Sequence, residues 1–236
     1  MKASLYIQAA YRAFLSPAKP KRSYSQYGED VLIRLALPEP KTKGFYVDVG
    51  CHHPRRGSNT YGLYRKGWHG LLIDLEEVKV RACQLRRWRD KALVAAVSDR
   101  EYEVPIYSPG AFSTNTTINL SSISHPESYQ PVGHIHTTTL THLLDQHQAP
   151  RNFDLLSVDV EGVDYEVIKG LDFERYRPGV ICVENWESVK GIEAILASAT
   201  HRLLADKQYR LTGWAGFSTI YKRNNEEEET KRGLTP

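Results

Sequence analysis

Four carboxylates in this chain stand at the ends of apolar, β-forming runs: Asp48, Asp74, Asp159 and Glu184. Asp99 lies just beyond a fifth run that ends at Val97. In a parallel sheet such ends share one edge, and ligands of open α/β sheets bind along it. Acids recurring there converge on one crevice, whereas merely solvated acids would fall anywhere. The first of them is the most informative. Residues 44–51 read Gly-Phe-Tyr-Val-Asp-Val-Gly-Cys, a buried strand opening at Gly50 into a tight turn where a missing side chain admits a ligand to the backbone. It is not a phosphate fingerprint. No Gly-x-Gly-x-x-Gly or Gly-Lys-Ser/Thr follows, and Cys51, His52, His53, Pro54, Arg55 and Arg56 are too bulky to cradle a pyrophosphate. A nicotinamide-dependent oxidoreductase is therefore disfavoured. Asp74, which follows Gly50 by 24 residues, is spaced to accept ribose hydroxyls. Glu76 and Glu77 read better as acids at a helix N-terminus.

The elements that must position these groups alternate along the chain. Expected helices cover 28–37, 58–66, 77–88, 140–147, 163–170 and 188–200. Expected strands cover 45–49, 70–74, 92–97, 135–139, 154–159 and 179–184, with a short extra strand at 101–107. Strand–helix alternation with apolar strands predicts an α/β fold whose parallel sheet is covered on both faces. The last two strands, 208–213 and 217–222, join around Trp214-Ala215-Gly216 and read as an antiparallel edge hairpin. Residues 108–134, rich in Ser, Thr, Asn and Pro, read as a long loop, and loops of that length are usually lids or substrate loops.

Both ends differ from this middle. Residues 1–22 carry Lys2, Arg12, Lys19, Lys21 and Arg22 without an acid, and Ile7, Ala10, Tyr11 and Phe14 fall on one helical stripe. Such a basic amphipathic helix lies on an anionic membrane, or packs on the domain or on a second subunit in a homo-oligomer. From Asn224 the chain loses its hydrophobic pattern, and 224–236 read as an acidic disordered tail. Residues 23–223 are thus one domain, without linker or internal repeat.

Composition narrows the partners. A net charge of +3 over 236 residues gives no argument for nucleic acid. Cys51, Cys83 and Cys182 form no Cys-x-x-Cys pair and fit reduced thiols in a cytoplasmic protein. No run approaches the roughly 20 apolar residues of a membrane span, and no secretory signal is evident.

Three segments carry a family resemblance: Ser25-Gln26-Tyr27-Gly28-Glu29-Asp30, then Phe45 to Cys51, then Ser157-Val158-Asp159-Val160-Glu161-Gly162 running into Tyr165-Glu166-Val167-Ile168-Lys169-Gly170. The third is the most specific. Asn59-Thr60-Tyr61 through Gly67-Trp68-His69-Gly70 adds to it. On these the chain resembles the FkbM family of S-adenosylmethionine-dependent methyltransferases, over about residues 23–222. The resemblance implies the class I methyltransferase fold, a Rossmann-like three-layer sandwich around a mostly parallel seven-stranded sheet with its last strand antiparallel. Two departures stand out. Leu75 and Glu76 follow Asp74 where relatives have Pro and Asn, and Cys51 and His52 replace a small residue and Asn.

The resemblance also implies roles. Asp48 and Gly50 would hold the methionine end of the cofactor, Asp74 the ribose, and Ser98 with Asp99 the adenine edge. Gln26 would close over the cofactor, or else belongs only to a helix-capping turn. Methyl transfer to a hydroxyl needs in-line placement and a base. Candidate bases are Asp159, Glu161, His53 and His136. Asp159, Glu184 and Asn185 are similar to the Asp…Asp-Asn set of Mg²⁺-dependent methyltransferases, although Glu184 departs from it and could contact a sugar directly. Arg55, Arg56, Asn59 and Tyr64 would flank the mouth, with Trp186 stacking on a sugar face. The family often methylates glycan or natural-product hydroxyls, so a glycan acceptor is expected. A non-catalytic binding or scaffold protein that kept the fold is the competing class.

Overall fold

The computed structural model describes residues 6, 7, 11, 22–38, 42–110, 116–123 and 125–224. Most of the basic segment 1–22 and all of the tail after Asn224 lie outside the described residues, and so do the expectations placed on them.

Seven strands form the central sheet: β1 (Phe45–Val49), β2 (His69–Asp74), β3 (Lys91–Val94), β7 (Leu155–Val158), β8 (Val180–Glu184), β9 (Tyr209–Ala215) and β10 (Ser218–Arg223). Their order is β3-β2-β1-β7-β8-β10-β9. β1, β2, β3, β7 and β8 run parallel, while β10 is antiparallel to both β8 and β9. The expected C-terminal hairpin is present, but β10 inserts beside β8 and leaves β9 alone at the edge.

Alternation along the strands feeds two cores. Val47, Val49, Leu71, Ile73, Leu156 and Val158 face one side, under α4 (Leu140–Gln146), α5 (Asp164–Lys169) and α7 (Ala199–Asp206). Tyr46, Leu72, Leu155 and Cys182 face the other, under α1 (Glu29–Ala36), α2 (Tyr61–Tyr64) and α3 (Glu77–Arg86). A sheet buried on both faces explains why its strands read as almost unbroken apolar runs. Among the described residues no helix is long and apolar enough to cross a membrane.

The expected strand 92–97 proves to be two. The ladder of β3 stops at Val94, and β4 (Ala96–Ser98) pairs instead with β6 (Gln130–Thr139) in a second sheet of order β4-β6-β5, completed by β5 (Glu103–Ser108). β6 therefore begins inside the stretch expected to be loop. The expected helix 188–200 is also divided. A 3-10 turn at Trp186–Lys190 leads to α6 (Ile192–Ala197), and Ser198 then caps α7 by accepting from His201 N at 3.1 Å.

Candidate functional site

A cleft of about 510 Å³ opens at the carboxyl ends of β1, β2 and β7, within the range of small-molecule sites. Gly50 forms its floor with φ +81°, and a Cβ built there would lie 1.7 Å from the Asp159 carbonyl oxygen. Only glycine permits both the dihedral and the approach. The amides of Gly50 and Cys51 donate to Ile73 O at 2.8 and 3.1 Å, tying the turn to β2. His52 N donates to Asp74 Oδ2 at 2.8 Å, and Glu76 N donates to Oδ1 at 3.0 Å. Lys79 Nζ stands 3.7 Å from the same carboxylate. Asp74 faces the cleft with acceptor capacity left.

The opposite wall comes from the turn after β7. Glu161 (φ +56°) and Gly162 (φ +99°) are both left-handed. Asp164 holds them there, its two carboxylate oxygens accepting from Val160 N at 3.0 Å and Gly162 N at 3.2 Å. The segment expected as a loop closes over this turn. Thr117 Oγ1 donates to Glu161 O at 3.3 Å and Asn119 Nδ2 to Gly162 O at 3.1 Å, which brings Thr116, Thr117 and Ile118 into the cleft wall. Gln26 lines the mouth. Asp30 accepts from Ser23 Oγ, Ser25 Oγ and Tyr24 N, and Glu29 accepts from Tyr27 N, so the acids of this motif shape the turn that presents Gln26.

Four carboxylates share this end of the molecule. Burial, then repulsion from Asp164 and Glu161, pushes the Asp159 carboxyl well above the ordinary range. Asp164 is pushed up to about 6, chiefly by burial, and its backbone hydrogen bonds oppose the shift. Glu184 is pushed up to about 9 by burial and then by Asp159, Asp164 and Glu161. Its Oε2 accepts from Trp186 Nε1 at 3.2 Å. The group cannot be fully ionised at neutral pH, and its protons belong to the set rather than to one residue.

Of the site residues read from the sequence, Gln26, Gly50, Asp74, Asp159, Glu161 and Arg56 line the cleft. Others do not. Asp48, one residue out of phase with Val47 and Val49, points to the opposite face and accepts from Thr60 Oγ1 at 2.5 Å. Ala95, Ala96 and Val97 line the cleft where Ser98 and Asp99 were expected, because β3 ends three residues earlier than expected. Ser98 is instead paired with Tyr102, and Asp99 with Lys169 at 2.8 Å. His53 Nδ1 accepts from Arg55 N and Arg56 N, closing a local turn in which Arg55 stays exposed. Asn59 donates to Ser157 Oγ at 3.1 Å beneath the sheet, and Tyr64 is buried against Arg87 and Arg89. His136 sits exposed on β6, in the second sheet.

Asn185 is buried and hydrogen-bonded through both ends of its amide. Its Nδ2 donates to Ser198 Oγ at 3.1 Å and its Oδ1 accepts from Glu187 N at 3.1 Å. Among the described residues no group of three or more His, Cys, Asp and Glu side chains is placed to hold a metal ion. Of the set expected for Mg²⁺, Asp159 lines the cleft, while Glu184 ends β8 and Asn185 follows it. Trp186 is 48% exposed and packs on Phe217 at 4.5 Å between ring centres, and Tyr27 meets Phe217 edge-on at 5.7 Å. Residues that sequence reasoning missed are His52 and Lys79, which line the cleft, and Asp164, which shapes it. Asp164 alone had a signal, standing two residues after a glycine at a strand-to-helix turn.

The methyltransferase FkbM domain family matches residues 48–211. Among solved structures, a TehB-like SAM-dependent methyltransferase from Corynebacterium glutamicum is 13% identical, with 94% of this chain and 98% of that one covered and a TM-score of 0.41. Cofactor-bound Rv0187 from MTB is 16% identical over 95% and 91%, also at 0.41. A SAM-dependent methyltransferase from Methanosarcina mazei is 15% identical over 86% and 81%, at 0.35. None of the curated proteins compared with the chain matches it.

Proposed function

The chain belongs to the FkbM methyltransferase family, and from that premise we propose that it transfers the methyl group of S-adenosylmethionine to a hydroxyl oxygen of a sugar-type acceptor. The observation that carries the reading is the Gly50 floor set between two acids of different character, Asp74 and Asp159. Asp74 is a hydrogen-bonded acceptor suited to vicinal hydroxyls, next to an apolar wall at Ala95–Val97 that suits a base. The residues present therefore fit the cofactor. When bound, it supplies an electrophilic methyl group on a sulfonium whose thioether leaves without needing an acid.

Asp159 carries the other half. Asp159 lines the cleft, no described donor pairs with its carboxylate, and burial raises its proton affinity above that of an ordinary carboxylate, as a general base requires. Glu184, proton-bearing at neutral pH, can hydrogen-bond an acceptor hydroxyl as donor or acceptor. The exposed rings of Trp186 and Tyr27, with half-buried Phe217 in contact with both, offer an apolar face near Glu184. An aromatic face next to carboxylates is the pattern that a pyranose matches, with C–H groups on one side and hydroxyls on its rim. Free, buried Cys51, Cys83 and Cys182 suit a reducing, cytoplasmic compartment.

The test is methyl incorporation from labelled S-adenosylmethionine into a glycan extract, with Asp159→Asn as control. Loss of the base should lower turnover about 10²–10⁴-fold while calorimetry shows cofactor binding retained. Normal cofactor binding with no methyl acceptor in sugar fractions would favour a binding protein that kept the fold. Full turnover in Asp159→Asn would remove Asp159 from the chemistry.

A further inference from the structure

A second groove, of about 440 Å³, opens between α1 and α2 and shares no lining residue with the catalytic cleft. Arg22, Arg34, Arg65 and Lys66 line it, and no acid does. Asp30, buried beneath, offsets only one of these charges through its 2.9 Å pair with Arg34. Like charges held together by the packing of two helices repel one another, and they raise the local attraction for anions.

The groove is not purely cationic. Leu35 on its wall is 70% exposed, close to Tyr24. Cations interleaved with an exposed apolar side chain match an interfacial contact, in which charges meet phosphates and the apolar tip sinks among headgroups. Continuity points the same way. Arg22 is the last of five cations in a 22-residue segment without an acid, and Ile7 and Tyr11 of its apolar stripe are 71% and 56% exposed. Recognition of single-stranded nucleic acid would call for stacking platforms. The groove holds one aromatic ring, Tyr24, whose hydroxyl already accepts from Arg65.

We propose that this groove docks the protein on a membrane surface carrying anionic phospholipid. Arg22, Arg65 and Lys66 take the lipid phosphates, and Leu35 enters the headgroup layer. The assignment is independent of the methyl-transfer reading, since no residue of the cleft takes part.

Flotation of the full chain with vesicles of phosphatidylcholine alone, or mixed with phosphatidylglycerol, tests it. Binding is expected only to the anionic vesicles and should fall steeply with added salt. Reversing two groove charges, Arg65→Glu with Lys66→Glu, should weaken partitioning at least tenfold, with cofactor affinity and thermal midpoint unchanged. A second variant, Leu35→Ser, should weaken binding without altering its salt dependence. The proposal is overturned if no vesicle binds, or if the charge-reversed chain floats like the parent. It is also overturned if removing residues 1–21 abolishes binding while the groove variants do not, or if binding to inorganic phosphate or a DNA duplex replaces partitioning.

Discussion

At the residue scale the site is defined by carboxylates whose protonation the fold has reset. Glu184 shows the consequence for stability. Its pKa rises from 4.5 to about 9, first through burial and then through Asp159, Asp164 and Glu161. Across that window the native state holds a proton that the unfolded chain has released, so folding loses free energy as pH climbs toward 9. Below the unfolded value both states are protonated and the penalty vanishes. Glu184→Gln keeps the shape without the titration. Its thermal midpoint should match the parent near pH 4 and exceed it increasingly toward pH 9, by about 2–4 °C for each kcal/mol relieved. An offset independent of pH in thermal denaturation would contradict this assignment. Such residues were legible as types: strand-end acids were found at Asp74, Asp159 and Glu184. Asp48 turns away from the cleft because strand phase decides a side chain's face, and Val47 and Val49 already point into the other core.

At the element scale the junction of β1 with β7 limits what the site tolerates. Asp159 N donates to Val49 O at 2.9 Å, so the two strand ends approach too closely for any side chain at position 50. Gly50→Ala should abolish measurable cofactor binding by calorimetry while circular dichroism shows the sheet retained. Affinity within threefold of the parent would mean that the turn is not the cofactor floor. Parallel strands and their helices were readable because a sheet buried on both faces leaves apolar runs separated by helical periodicity. The end of β3 was not. Ala92-Leu93-Val94-Ala95-Ala96-Val97 is apolar throughout and carries no mark for the break, which arises from the pairing of Ala96–Ser98 with Thr137–Thr139. The same limit hid Thr116–Ile118. A polar stretch without period does not announce that Thr117 and Asn119 will bond to carbonyls more than 40 residues away.

At the scale of the whole molecule, the face of the sheet opposite Asp159 is organised around a charge with no exposure. Arg87 is 0% exposed and donates to Asp90 at 2.7 Å, Tyr46 at 2.9 Å and Thr60 at 2.9 Å. Asp90 in turn accepts from Tyr46 OH and from Gly70 N at 2.9 Å, while Thr60 donates to Asp48. One network therefore joins β1, the start of α2, β2 and the end of α3, and it fixes the strand that ends at Gly50. Burial raises the carboxyls of Asp48 and Asp90, and the attraction of Arg87 opposes that rise without cancelling it. Removing the cation alone leaves two acids buried without compensation. Arg87→Met should lower the unfolding free energy by about 3–5 kcal/mol in urea titration, as expected when one member of a buried pair is lost. Adding Asp90→Leu should restore part of that loss, because the second change removes a charge the first had stranded. If Arg87→Met costs less than about 1 kcal/mol, or if the two losses simply add, the network is not a coupled unit. The floor of the cleft would then be held by the strand ladder and the Gly50 turn alone.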